Sequence, residues 1–334
     1  MRQPHLETTS LRIALAIAAL LTPAAALPAQ ELSVLAGKMW DVARPQSSYS
    51  WRIDYQEGLG EHAMATVGWL NEGHVEGHHR DGYTLQLWAR APLLSRRLTL
   101  ALGAGPYRYF DTANNPAGGF FNDHGWGAIV SVSASYYLGS RIVLRADANR
   151  IWARPNTIDT RALLFGLGYQ LQMPTRPGPR RRQRPQPRQT TRNELTLFIG
   201  RTVVNSFHTA RSVAVALEYR RGIAKHIDLT LTALDEGDPE LIRRYGVAAQ
   251  LWAVRAFLRD RLTLGIGGGA YVAVDQRFSP GPLDEGAGTV AGLVTPTISW
   301  RFSRHFALRF NWERTVSSYH RDTDIFLLGP AYRF

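Results

Sequence analysis

His305-Phe306-Ala307-Leu308-Arg309-Phe310-Asn311-Trp312-Glu313 alternates between apolar and polar residues. In an extended strand successive side chains point to opposite faces, so Phe306, Leu308, Phe310 and Trp312 share one face. Ala307, Arg309, Asn311 and Glu313 share the other. Residues 142–149 repeat the arrangement: Ile142, Leu144, Ala146 and Ala148 lie on one face, Arg145, Asp147 and Asn149 on the other. A single strand of this kind fits a soluble sheet or a membrane wall equally well. The whole set of strands has to decide.

The two stretches lie 164 residues apart, and the same offset recurs along the chain. Leu70-Asn71-Glu72-Gly73 meets Leu234-Asp235-Glu236-Gly237, and Gln86-Leu87-Trp88 meets Gln250-Leu251-Trp252. Gly103, Gly105, Tyr107 and Asp111 meet Gly267, Gly269, Tyr271 and Asp275. A fixed offset over this length reads as an internal duplication of residues 31–172 as 194–334. Each copy divides into eight runs of period two, bounded by Gly, Asn, Asp and Pro. In the first copy they are 31–40, 49–57, 61–70, 82–91, 97–110, 125–138, 141–152 and 160–171. In the second they are 194–203, 211–221, 226–234, 246–257, 261–274, 289–302, 305–315 and 323–334. No helix-period segment competes with them.

Nearly every run of the first copy ends in aromatics, among them Trp40, Trp51, Trp69, Tyr107, Tyr109, Tyr136 and Trp152. Aromatics at strand ends suit the two interfacial girdles of a membrane barrel. Short connections (58–60, 93–96, 139–140) alternate with long ones (41–48, 71–81, 111–124, 153–159), as in barrels whose short turns face the periplasm. A basic residue facing lipid at mid-membrane costs roughly 2–4 kcal/mol, so Arg145 and Arg309 must look inward. There Arg145 is expected to pair with Asp147 or with a cross-strand acid, because a buried charge without a partner is expensive. The fold class expected is all-β: an antiparallel transmembrane β-barrel in two tandem eight-stranded repeats. One sixteen-stranded barrel is the alternative, and would make a porin-like channel plausible. Inward-facing Gly103, Gly105, Ser131 and Ser133, mixed with charged residues, favour two narrow, filled barrels.

Residues 1–29 read as a signal peptide: Arg2 and Arg12, an apolar run over 13–21 and a small-residue segment ending at Ala29. Residues 30–173 form the first repeat, 174–193 a linker and 194–334 the second repeat. The chain has no cysteine, which excludes disulfides, thiol catalysis and thiolate metal sites. The net charge of +12 invites a nucleic-acid partner, but seven arginines fall within 174–193, and removing them from +12 leaves +5. That stretch, rich in proline and free of acids, reads as an extended linker, or as a basic arm touching anionic headgroups. No nucleic acid is expected. The expected setting is the outer membrane, with its lipid (lipopolysaccharide) as partner. The closing Ala331-Tyr332-Arg333-Phe334 looks like the terminal strand that hands such barrels to their assembly machinery, through Phe334.

His74, His78 and His79, with nearby acids in an exposed loop, are candidate metal ligands. The second copy lacks all three and retains Glu72/Glu236 and Arg80/Arg244, which fits a Glu–Arg pair better than a ligand set. Arg150/Arg314 and Asp159/Asp322 are likewise shared. These eight residues form the candidate polar binding cluster of the outer loops. The glycines of 265–269 lack the Lys-Ser/Thr of a phosphate loop and fit crowding inside a narrow barrel. No cofactor is implied.

The seventh strand, its loop and the eighth strand resemble small barrels of the lipid A deacylase (PagL-like) type. That resemblance implies a His-x-Ser pair at the strand end with a later glutamate as a hydrolytic triad. The comparable stretches here are Asn149-Arg150-Ile151 and Glu313-Arg314-Thr315, and only Ser317, Ser318 and His320 lie nearby, in reverse order. The hydrolytic activity is therefore not carried over. The function expected is a non-enzymatic barrel with a structural or surface lipid- or glycan-binding role.

Overall fold

The computed structural model describes residues 30–116, 118–153, 155, 157–172, 174, 177–179, 191–208, 210–278 and 288–334. The signal-like segment 1–29 and most of 174–193 lie outside the described residues. Two compact units divide the chain near residue 185.

The first unit holds β1 (Gln30–Asp41), β2 (Ser47–Gly58), β3 (Ala63–Val75), β4 (His78–Leu93), β5 (Leu98–Asn114), β6 (Phe120–Tyr137), β7 (Ile142–Trp152) and β8 (Thr160–Gln170). Consecutive strands pair antiparallel, and β8 returns to β1, with Leu35 opposite Gly166, to close the barrel. The second holds β9 (Asn193–Val204), β10 (Arg211–Ala224), β11 (Ile227–Asp235), β12 (Ile242–Phe257), β13 (Leu262–Phe278), β14 (Val290–Arg301), β15 (Phe306–Val316) and β16 (Thr323–Arg333). Here β16 returns to β9, with Leu328 opposite Ile199. Two closed eight-stranded barrels are the architecture, and the sixteen-stranded alternative is set aside. Among the described residues no helix is long and apolar enough to cross a membrane.

The strand phase follows the sequence alternation. Leu102 and Phe165 face outward, each 58 % exposed, while Arg52 and Asp54 face inward and are 0 % exposed. Leu197, Ile199 and Val213 form the same kind of outer wall on the second barrel. Within each barrel the inward residues stack in layers. In the first, charged residues of β2 and β7 occupy the middle. Leu35, Leu70, Ile151 and Leu164 form an apolar layer beyond them.

Narrowness explains the inward glycines. The Trp88 and Trp252 rings lie inside their barrels, each donating its indole N–H to a threonine (Thr66 and Thr230) at 2.9 Å. Each ring lies flat over a glycine. A Cβ at Gly103 would fall 2.2 Å from the Trp88 ring, and one at Gly267 would fall 2.6 Å from the Trp252 ring.

The stretch 71–82 is the main departure from expectation. It is not a long exposed loop: β3 runs to Val75, β4 resumes at His78, and only Glu76 and Gly77 connect them. Gly73 makes this possible. Its φ of +66° sits at a bulge where the register slips between Asn71 and His74, and its N–H donates to the Asn71 side chain at 2.9 Å. Gly237 takes the same conformation at φ +72°, held by Asp235 at 2.8 Å. The next long connection also shortens, because β5 extends to Asn114 and β6 starts at Phe120.

Two outcomes follow. Residues 30–172 and 193–334, expressed separately, should each refold in detergent with strand-rich circular dichroism and a heat-modifiable gel band. Gly103→Val should lower stability by ~1–3 kcal/mol through overpacking against Trp88, read as a reduced urea midpoint.

Candidate functional site

At the end of each barrel opposite the short turns sits one buried clamp. In the first, Arg80 of β4 grips Glu72 of β3 through two parallel hydrogen bonds, Nε to Oε2 at 2.6 Å and Nη2 to Oε1 at 2.9 Å. Tyr107 of β5 donates its hydroxyl to Glu72 Oε2 at 2.9 Å, and Thr160 of β8 donates to Oε1. Arg80 also donates to Thr160 Oγ1 at 3.1 Å and to the Ile158 carbonyl. In the second barrel Arg244 grips Glu236 at 2.9 Å through both Nε and Nη2. Thr323 donates to Glu236 Oε2 at 2.8 Å, and Arg244 Nη1 donates to the Tyr319 hydroxyl at 2.8 Å. Tyr319 lies in the β15–β16 loop, where burial holds its phenol above the usual range against the opposing pull of Arg244.

Glu72, Arg80, Glu236 and Arg244 are therefore interior residues, each at most 1 % exposed, and not a solvated loop cluster. A glycine with positive φ, Gly73 in one barrel and Gly237 in the other, directly follows each glutamate where it turns inward beside its arginine. The pairing was legible in sequence because both halves of the chain carry a Glu and an Arg at the same spacing. The burial was not, because the strand extension depends on cross-strand register.

A second charged layer lies in mid-barrel. Arg145 of β7 holds Asp147 at 2.9 and 2.7 Å and reaches Asp54 of β2 at 3.3 Å. Arg52 completes the group, with Nε on Asp54 at 2.7 Å and Nη2 on Gln86 at 2.7 Å. Strands β2 and β7 are not neighbours, so this contact crosses the lumen. In the second barrel Arg309 of β15 binds Glu218 of β10 at 2.6 Å and Glu194 of β9 at 2.8 Å. The Arg145–Asp147 pair was expected; its cross-lumen partner Asp54 was not.

The remaining candidates scatter. Arg150 faces outward from β7, 3.9 Å from Asp159. Arg314, in the same place on β15, binds Asp324 at 2.8 and 2.5 Å, a residue the sequence reading did not single out. Asp322 instead accepts from the Ser317 backbone N–H at 2.8 Å and hydroxyl at 3.1 Å, so the Ser317 hydroxyl serves the loop. The histidines divide. His78 Nδ1 lies 2.8 Å from Asp111, while the His74 and His79 rings stack with centroids 3.9 Å apart. Among the described residues no group of three His, Cys, Asp or Glu side chains is placed to hold a metal ion.

No protein-family model matches the chain, and no curated protein matches it. Among solved structures it is similar to Neisserial surface protein A, with 14% identity over 43% of this chain and 96% of that one, TM-score 0.36. It is similar to the N-terminal β-barrel domain of Pseudomonas aeruginosa OprF, with 12% identity over 42% of this chain and 98% of that one, TM-score 0.34. A third is the translocator domain of autotransporter NalP from Neisseria meningitidis, with 12% identity over 98% of this chain and 95% of that one, TM-score 0.22.

Chemically, both charged layers set arginines against carboxylates inside the barrel, out of reach of solvent. Truncating one member leaves a buried opposite charge, which costs about 3–5 kcal/mol. Arg80→Ala and Arg244→Ala should each lower unfolding stability by ~3–5 kcal/mol in a urea titration of the refolded protein. Pairing Arg80→Met with Glu72→Gln should recover part of the loss, because no charge is then stranded.

Proposed function

We propose that this chain is a non-enzymatic protein of the Gram-negative outer membrane, two duplicated eight-stranded barrels in tandem, with a structural or surface lipid- or glycan-binding role. The observation that carries this reading is the inversion of polarity: a continuous apolar outer wall around a charged, ion-paired interior. Monomeric soluble proteins rarely expose contiguous apolar area on this scale, whereas lipid is the natural solvent for it. Closure supports the same reading, since a sheet in hydrocarbon must leave no edge unpaired.

Aromatic groups near both rims suit the two interfaces. On the second barrel Phe302, Phe306 and Tyr332 gather at the short-turn end, with Phe306 and Tyr332 centroids 5.4 Å apart. Trp312 and Phe326 stack nearer the other end, 5.5 Å apart. Phe334 extends the first group, in keeping with a role for this strand in barrel assembly. Export would use residues 1–29.

The packed ionic and apolar layers favour a plugged barrel over a conducting one. The purified protein should migrate differently in unheated and boiled gel samples, and should give no stable single-channel steps in planar bilayers. Stable conductance would overturn the plugged-barrel reading in favour of a porin.

A further inference from the structure

On the outer wall of the first barrel, β7 and β8 set Arg150 directly opposite Arg161. Both belong to the outward-facing sets of their strands. Like charges directly opposite on one sheet face repel. The second barrel solves the same position differently. There Arg314 stands opposite Asp324 and binds it at 2.5 Å. The first barrel thus has a second cation where the second has an acid. Asp159 lies 3.9 Å from Arg150, at the outer limit of an ion pair.

The surroundings differ in the same sense. Trp40, Trp126 and Trp152 all face outward around the arginine pair, on β1, β6 and β7. Register runs unbroken across them: Trp40 lies opposite Arg161, Trp152 opposite Ala128, and Trp126 opposite Arg108. Each cation lies over an indole, Arg161 at 6.0 Å from Trp40, Arg150 at 5.2 Å from Trp152, and Arg108 at 5.5 Å from Trp126. The residues in equivalent register on the second barrel are Val203, Val290, Val316 and, for Arg108, Val272. One wall sets valines around a paired Arg314 and Asp324. The other carries arginine and tryptophan together.

The geometry points to a binding site on this wall for the phosphate-bearing headgroup of a membrane lipid, with Arg150 and Arg161 on phosphate oxygens. Guanidinium matches phosphate through paired N–H donors, and a bound dianion removes the repulsion between the two arginines. Tryptophan belongs at the level where headgroup meets acyl chain. A lipid fits better than free phosphate because Leu163 and Phe165 continue the wall beside the arginines as exposed apolar surface. The site rests on the membrane placement proposed above and gives its lipid partner a chemistry and an address.

The test uses the full chain in detergent, titrated with diphosphoryl lipid A and with the same lipid after removal of its phosphates, and read by native mass spectrometry. Arg161→Asp rebuilds the ion pair of the second barrel, so it should fold and keep its heat-modifiable band. It should bind the phosphorylated lipid roughly tenfold more weakly, the loss expected of one charged hydrogen-bonding group. Arg201→Ala, an outward cation of the second barrel, should leave binding unchanged. Equal binding by wild type and Arg161→Asp, or by the two lipids, overturns the site. Displacement of the lipid by an equal concentration of inorganic phosphate overturns the lipid as occupant. Loss of the heat-modifiable band in the wild type overturns the membrane barrel and the site with it, and is told apart from the other outcomes by that gel alone.

Discussion

Alternate residues of eight strands converge on one narrow axis, and every charge sent there must be met by another. That constraint organises both barrels. It explains why Arg145 spans to Asp54 across the lumen and why Arg309 spans to Glu218. It also explains why indole rings sit over glycine at Gly103 and Gly267, since a wider barrel would have room for side chains there. The apolar outer wall and the ionic interior are two consequences of one period-two alternation wrapped into a closed sheet.

The two barrels meet the constraint with partly different residues. The terminal clamp is the same in both: Glu72 with Arg80, Glu236 with Arg244, each capped by a threonine of the last strand. The middle layer is rewired. Arg52 supports Asp54 in the first barrel, whereas Glu218 of the second is supported by Arg220 from its own strand and by Arg309. Arginine set against carboxylate is what both layers share, not the identity of each pair. A buried ion pair resists change one residue at a time, because any single loss strands a charge.

The outer walls are free of that coupling, and there the barrels differ. A lipid-facing residue needs only to be apolar, or to sit where headgroups accept it. The second barrel keeps valines and a closed Arg314–Asp324 pair at one rim. The first places tryptophans and opposed arginines at the same register. A shared interior arrangement beside different outer walls separates what holds each barrel together from what it offers to its surroundings.

The sequence alone determined the strands, their phase and the residues that must face inward, because side-chain alternation is a local property of an extended backbone. Each of the sixteen strands coincides with a period-two run, though β3, β4, β5 and β6 extend past theirs, and Glu72–Arg80 and Arg145–Asp147 were legible as pairs. Closure as two barrels, the lumen-crossing contact of Arg145 with Asp54 and the face-to-face placement of Arg150 and Arg161 were decided only in three dimensions. So was the fate of 71–82, where the bulge at Gly73 lets β3 and β4 extend past the clamp and leaves only a short connection between them. Each of these depends on register between strands distant in sequence. Alternation says which face a residue takes but not which residue stands opposite it.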